Sequence, residues 1–222
     1  MTVGTPPVRI FLRPIGSPLT IGMSGLAIAS LVESGLGLGW VPTSQTVEVG
    51  LILLAVPFVL QLLASIFSYL ARDGSAGAAT GVLATTWLAL GLLHIASGRE
   101  RPLSSVGLLL VSAGGVLALS AVVVSSTKPL PGTVFFLAAL RFVLAGFHQL
   151  TGVGVWNSIA GIAGLVVCAG AAYCVLAFEL EGQQRRPVLP TLRRGRAALS
   201  TSDDDGARLD GVNREAGVRQ TT

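Results

Sequence analysis

The chain has 222 residues, of which 51% are hydrophobic and only 12% are charged, and its mean hydropathy is +0.74. Soluble domains carry roughly 25% charged residues, so this chain has too few charges to cover a water-facing surface. The sequence pI of about 9.8 does not indicate a nucleic-acid-binding protein. The basic residues lie at the chain ends and in short connections rather than on one face with aromatic residues. The composition therefore argues against a soluble enzyme and indicates a membrane protein.

Six apolar runs follow one another along the chain, each close to the roughly 20 residues that a membrane-spanning helix needs. They are Pro18–Val41, Val47–Ala71, Ala76–Ser97, Leu103–Ser126, Gly132–Thr151 and Val155–Leu180. The connections between them are short, so consecutive spans must run antiparallel. We therefore predict an all-α fold, a six-transmembrane-helix bundle over residues 18–180. A lead of residues 1–17 precedes it, and a polar, largely disordered tail over residues 181–222 follows it.

The Lys and Arg residues predict how the spans are oriented. With the N-terminus inside the cell, the outer side carries only Arg99 and Arg101. The inner side carries the remaining basic residues near the spans: Arg9, Arg13, Arg72, Lys128, Arg185, Arg186, Arg193, Arg194 and Arg196. Cytoplasmic loops are enriched in Lys and Arg, so we expect a multi-pass protein of the plasma membrane with both termini cytoplasmic. The first run is too long to be a signal peptide, and no signal-peptide cleavage site follows it.

Arg141 lies near the middle of the fifth run, where a charge costs about 2.5–3.5 kcal/mol on insertion scales. Helical spacing places Ala138, Arg141, Ala145, His148 and Gly152 on one stripe of small and polar side chains. This stripe predicts the wall of a polar path with an anion site at Arg141. The alternative is a structural arginine between packed helices, paired with helix carbonyls or with a carboxylate such as Glu33.

Other polar residues within the runs are weaker candidates for the same path. His148 is suited to proton coupling because imidazole titrates near neutral pH, although a histidine near a helix end is also common at the membrane surface. His94, at the end of the third run, is interpreted as such a surface residue. Gln61 and Asn157 can line the path or form hydrogen bonds between helices. The sequence predicts no metal site, no cofactor and no catalytic motif, hence no enzyme.

Small residues in the sixth run predict close helix packing. Ala160, Gly164 and Cys168 recur at every fourth position, a spacing that lets two helix backbones approach each other. The partner helix can belong to the same chain or to another copy, and the sequence leaves both open.

Short motifs in matching order make the chain resemble the acetate uptake transporter family, also called succinate–acetate permeases, over about residues 16–192. In this family the first helix begins with an Asn-Pro-x-Pro-Leu-Gly-type motif, of which Pro18 and Leu19 are present here. The other matching positions are Gln61, Ala64, Tyr69, Trp87, Phe135, Phe136, Ala160, Gly161, Gly164, Leu165, Tyr173, and Val188-Leu189-Pro190.

The resemblance implies a six-helix bundle with the transport path inside each protomer and a homo-oligomer, a hexameric ring. It also implies uptake of acetate and related small carboxylates, coupled to protons or channel-like. Family members narrow the path with a Phe, a Tyr and a Leu, and the matching positions here are Ser24, Leu83 and Ala138. Because these side chains are smaller or less polar, and Arg141 lies one turn from Ala138, we expect a wider and more cationic path.

The sequence thus predicts membrane transport of small organic anions, most closely acetate or related short carboxylates, by a protein in contact with membrane lipid. The alternative from another class is a membrane scaffold or regulatory protein that acts through its charged cytoplasmic tail. Deleting the tail distinguishes the two, because a scaffold would lose its role whereas a transporter would keep its flux.

Overall fold

A computed structural model gives the structure for residues 16–97, 102–184 and 188–192. Every secondary-structure element in these ranges is helical, as the predicted all-α fold requires. Six spans are long and apolar enough to cross a membrane by length and composition, which confirms the predicted number and order of spans. The basic residues at 9, 13, 99, 101, 185, 186, 193, 194 and 196, and most of the predicted lead and tail, lie outside the described residues.

Within the described residues, seven α-helices build the six spans. They are α1 (Pro18–Gly37), α2 (Thr46–Leu53), α3 (Val59–Leu70), α4 (Gly74–Ser97), α5 (Ser104–Thr127), α6 (Pro129–Thr151) and α7 (Gly154–Gln184). A 3₁₀ turn, Thr43–Gln45, precedes α2, and a π-helical segment, Leu54–Phe58, joins α2 and α3 into one span.

Pro57 explains why the second span is not a continuous α-helix. Proline has no N–H, and its ring collides with the carbonyl four residues earlier, so an α-helical turn cannot pass through it unchanged. The chain widens here into the π-helical segment, as interrupted helices commonly do. The carbonyl oxygen of Pro57 lies 3.3 Å from the position that a Cβ on Gly25 would take. The widened turn and a glycine on α1 therefore fit against each other.

The first helix ends four residues before the predicted limit at Val41. The backbone N–H groups of Leu38 and Trp40 turn back to the carbonyls of Ser34 and Gly35, each at 2.8 Å. Gly39 has a φ of 75°, a left-handed conformation that glycine adopts without a Cβ clash. Helices commonly end in this way, so the chain leaves α1 in a local turn that hydropathy does not reveal.

The six spans form a closed ring. Each span packs against the next in the order α1, α2–α3, α4, α5, α6 and α7, and α7 closes the ring against α1. The predicted small-residue face on α7 contributes to this closure: a Cβ on Gly161 would lie 2.8 Å from the side chain of Leu38, and Gly164 faces Ser34 and Arg141. The partner of this face is therefore α1 and α6 of the same chain.

The ring has two distinct ends. The end where α1 begins and α7 finishes is here called the terminal end. At the terminal end, the Nζ of Lys128, between α5 and α6, forms an ion pair with Asp73, between α3 and α4. Asp73 also accepts hydrogen bonds from the Ala76 N–H and the Ser75 hydroxyl at the start of α4. Burial raises the pKa of Asp73, but the Lys128 charge and these hydrogen bonds outweigh it and hold that pKa below its usual 3.8.

The opposite end, here called the loop end, is where α1, α4 and α6 finish and where α2, α5 and α7 begin. Side-chain hydrogen bonds join the described helices there. The Asn157 side chain donates to the carbonyl of Gly37 at 3.3 Å, and the Leu103 N–H donates to the Gln149 side chain at 3.0 Å. These contacts close the ring where the functional site described next begins.

Candidate functional site

Arg141 lies inside the ring, midway along α6, and is only 5% exposed. Its Cζ lies 5.6 Å from the ring centroid of Trp87 on α4 and 6.0 Å from that of Phe142. A guanidinium over an aromatic face is attracted by the negative face of the ring. Gly164 on α7 leaves the necessary space, since a Cβ there would lie 2.6 Å from the Arg141 Nε. Three elements thus fix the position of one buried cation.

Trp87 is itself held by a chain of hydrogen bonds across the ring. Its Nε1 donates to the Gln61 Oε1 at 3.0 Å, and the Gln61 Nε2 donates to the carbonyl of Gly22 at 3.2 Å. Trp87 and Gln61 are both fully buried, and buried polar groups need such partners. Phe142 packs edge-on against Trp87 with ring centroids 5.2 Å apart. The aromatic surface beside Arg141 is therefore rigidly placed.

A cavity of about 40 Å³ lies between Arg141 and the loop end. A cavity of this size holds at least one water molecule. Four polar side chains line it, together with a surrounding apolar wall. The polar ones are Glu33, His94, Arg141 and Gln149, and the apolar ones are Leu90, Leu93, Leu103, Val106, Leu110, Phe142 and Ala145.

Glu33 on α1 and His94 on α4 form a buried pair in this cavity. The His94 Nε2 lies 2.7 Å from the Glu33 Oε1, and the side chains are 5% and 7% exposed. His94 lies in the last turn of α4, near the loop end as predicted, but its side chain is buried between α1 and α4 rather than exposed at the surface. Neither Glu33 nor His94 was predicted to line the path. Both are polar residues within apolar runs, and this pattern is the sequence signal from which their role could have been predicted.

Four of the sequence-predicted residues lie in the interior of the ring. Arg141 lines the cavity and Gln61 supports Trp87. Leu83 and Ala138 are buried in the core at 0% and 1% exposure. Because both side chains are buried, no open channel runs beside them.

The other three predicted residues are not brought to the Arg141 cavity. The Ser24 hydroxyl donates to the carbonyl of Thr20 at 2.9 Å, and Ser24 is half-buried, whereas the preceding Met23 is fully buried. His148 Nδ1 lies 3.1 Å from the carbonyl oxygen of Val153 at the loop end. Asn157 joins α7 to α1 as described above.

The middle of the ring is filled by buried side chains, two of which, Trp87 and Phe142, lie beside Arg141 itself. Met23, Leu83, Trp87 and Phe142 are each at most 1% exposed and fill this layer. The expected wider path is not present in this conformation, because the large side chains of Trp87 and Phe142 occupy the space. Passage of a solute requires this layer to move.

A second, larger cavity of about 480 Å³ lies at the terminal end, where α1 begins and α7 ends. It shares no lining residue with the Arg141 cavity. Its wall includes Ser17, Thr20 and Phe67, together with Glu179 and Glu181 from α7.

Together, the ring and its interior define a multi-pass α-helical membrane protein with a buried cation in a small cavity between mid-span and the loop end. No family model matches the chain, and no curated protein matches it. Its structure is similar to that of the bacterial acetate channel SatP, with a TM-score of 0.71 and 18% sequence identity. The match covers 80% of this chain and 99% of that one. This likeness confirms the fold that the sequence resemblance implied.

Proposed function

We propose that this protein carries small organic anions across the membrane through the interior of the six-span ring, with acetate or related short carboxylates as substrates. The observation that supports this most is the buried Arg141, which faces a small cavity inside a fold similar to that of an acetate channel. Ions and charged side chains inside a membrane are costly, so a buried arginine in such a place is by default functional.

Arg141 has the chemistry that recognition of a carboxylate needs. A guanidinium stays protonated at any physiological pH and donates several N–H groups in a fork that matches two carboxylate oxygens. In a low-dielectric wall its charge attracts an anion more strongly than it would in water. Acetate has only two carbon and two oxygen atoms, so a cavity of this small size favours it over longer carboxylates.

The route is channel-like, with the Trp87–Phe142 layer as its closed point. Binding at Arg141 must be weak enough for release, since conduction requires both entry and exit. Coupled movement of protons is the alternative mode. An imposed pH gradient separates the two modes, because only a coupled transporter would make the anion accumulate faster than it does in empty liposomes, where the protonated acid leaks in.

The flux of labelled solutes into liposomes that contain the purified full-length protein tests this proposal. The panel should hold acetate, propionate and succinate, with glycerol as a neutral solute and choline as a cation. Liposomes without protein report the leak of each protonated acid. We expect protein-dependent flux of acetate above that of glycerol and choline. Equal rates for all solutes, or none above the empty liposomes, would refute anion transport.

We further propose a plasma-membrane location with both termini cytoplasmic, on the basis of the Lys and Arg distribution in the sequence. In that orientation the Arg141 cavity lies on the extracellular side of the Trp87 layer. A homo-oligomer, specifically a hexamer, rests on the family resemblance alone, because Gly164 packs within its own chain. Mass measurement of the protein in native membrane fragments tests it, and a strictly monomeric particle would count against it.

A further inference from the structure

The Arg141 cavity contains a carboxylate of the protein itself. Glu33 comes from α1, His94 from α4 and Arg141 from α6, and all three line the same space of about 40 Å³. Each is at most 7% exposed. A substrate carboxylate that reaches Arg141 therefore enters a site that already holds one negative, one positive and one titratable group.

We propose that Glu33 and His94 form a proton-binding site that links carboxylate binding at Arg141 to the uptake of one proton. This inference rests on the proposed anion transport. Glu33 acts as a tethered competitor for the cation, and His94 decides how strongly Glu33 competes. The site then binds a short carboxylate together with a proton, whichever of the two modes moves the carboxylate across.

The balance of charge in the cavity carries the inference. With a neutral imidazole, the negative Glu33 and the positive Arg141 already balance, and an added carboxylate would leave a net negative charge in a buried space. With an imidazolium, the cavity has one surplus positive charge, which a substrate carboxylate neutralises. Uncompensated buried charge is strongly unfavourable, so carboxylate and proton bind best together. The other residues that line the cavity are uncharged.

The contact geometry favours the same linkage. At 2.7 Å, the Glu33 and His94 side chains are within hydrogen-bond distance, and protonation of the imidazole adds a full charge to that bond. Glu33 held by His94 is a weaker competitor for Arg141. A competitor confined to so small a volume acts at a high effective concentration, so its retention changes the affinity for free carboxylate considerably.

No other charged side chain of the described residues lines this cavity. Glu48 on α2 is exposed, and His148 on α6 contacts the carbonyl of Val153 instead. Imidazole is the side chain that changes charge between about pH 5 and 8. Acetate should therefore bind more tightly at the acidic end of this range and more weakly as His94 loses its proton.

Isothermal titration of acetate into the purified full-length protein in lipid nanodiscs tests the linkage. Titrations at one pH in buffers of different ionisation enthalpy give the number of protons taken up per acetate. We expect a Kd that rises about tenfold from pH 5 to 8, within the usual range of coupling between sites, and proton uptake that peaks at about half a proton per acetate near the middle of this range.

Two substitutions separate the roles. His94→Gln keeps a hydrogen-bond donor beside Glu33 but cannot gain a proton, so proton uptake and the pH dependence of Kd should both disappear. Glu33→Gln removes the competitor, so acetate should bind tightly and without proton uptake across the range. Glu48→Gln removes an exposed carboxylate at the loop end and serves as the matched control, with wild-type linkage.

The outcomes distinguish this inference from the proposed function. No acetate binding by the wild-type protein at any pH would overturn the linkage, whereas absence of acetate flux in liposomes would overturn the proposed transport. Acetate binding without proton uptake would overturn only the linkage. So would proton uptake that survives in His94→Gln but is lost in His148→Gln. If His94→Gln proves unstable in a thermal melt, Glu33→Gln alone decides, because unchanged proton uptake in that variant contradicts the competition.

Discussion

Replacing Gly164 with alanine should displace Arg141 without touching its charge. A Cβ at position 164 would lie 2.6 Å from the Arg141 Nε and closer still to the Ser34 hydroxyl. Ordinary contact begins at 3.4 Å, so the Nε must retreat by 3.4 minus 2.6, which is 0.8 Å. The alternative is that α7 moves away from α1 and α6 by a similar amount.

The expected cost follows from two opposing terms. Forcing an extra methyl group into a packed site typically costs about 1–3 kcal/mol, while alanine is favoured over glycine in a helix by about 1 kcal/mol. The net destabilisation should therefore be about 0–2 kcal/mol. Because the guanidinium leaves its position, acetate affinity should fall more clearly, by about tenfold, which corresponds to about 1.4 kcal/mol.

Gly115→Ala on α5 is the matched control, because a Cβ there would meet nothing within 4 Å. Thermal melting and acetate titration of both variants in nanodiscs give the comparison. We expect Gly115→Ala to keep wild-type affinity. If Gly164→Ala binds acetate as tightly as Gly115→Ala does, Arg141 is not positioned by this contact and the reasoning is refuted.

Three further substitutions or labels test other parts of the structure. Gln61→Leu should cost about 1–3 kcal/mol, because it leaves the buried Trp87 Nε1 without an acceptor; a melting temperature equal to wild type would show that the hydrogen bond is dispensable. Asp73→Asn keeps the helix cap but loses the Lys128 ion pair, so it should cost up to about 1 kcal/mol at neutral pH. Since the pKa of Asp73 is lowered, the wild-type advantage should be full above about pH 3.8 and vanish as pH falls through the lowered value; an advantage that persists at lower pH would contradict the ion pair. Cysteines placed in the loop at residues 98–102 should react with an impermeant reagent outside intact cells, and protection there would reverse the proposed orientation.

The sequence predicted the spans well because a long apolar run is a strong and local signal. The differences lie where backbone chemistry, not hydropathy, decides. α1 ends at Gly37 because Gly39 permits a left-handed turn, and the second span changes to a π-helical turn because Pro57 cannot continue an α-helix. α6 begins at Pro129, earlier than predicted, since proline is favoured in the first helical turn.

The candidate site was only partly predictable. Arg141 was evident because a charge in the middle of an apolar run is rare. Its neighbours were not, since Glu33 and His94 are 61 residues apart and meet only when α1 and α4 pack in the closed ring. Likewise, Ser24 was matched to a path position from the sequence, but the fully buried residue is the adjacent Met23.

The role of Arg141 itself is tested most directly by acetate flux in liposomes that contain Arg141→Leu at a protein density matched to wild type. Arg72→Gln, which removes a positive charge from an exposed position at the terminal end, is the control. We predict that Arg72→Gln transports acetate like the wild-type protein. Arg141→Leu leaves Glu33 without a compensating charge in the cavity, so its folding is checked by thermal melting; the folded variant should show no acetate flux above empty liposomes. Wild-type acetate flux through well-folded Arg141→Leu would contradict the central role of this cation.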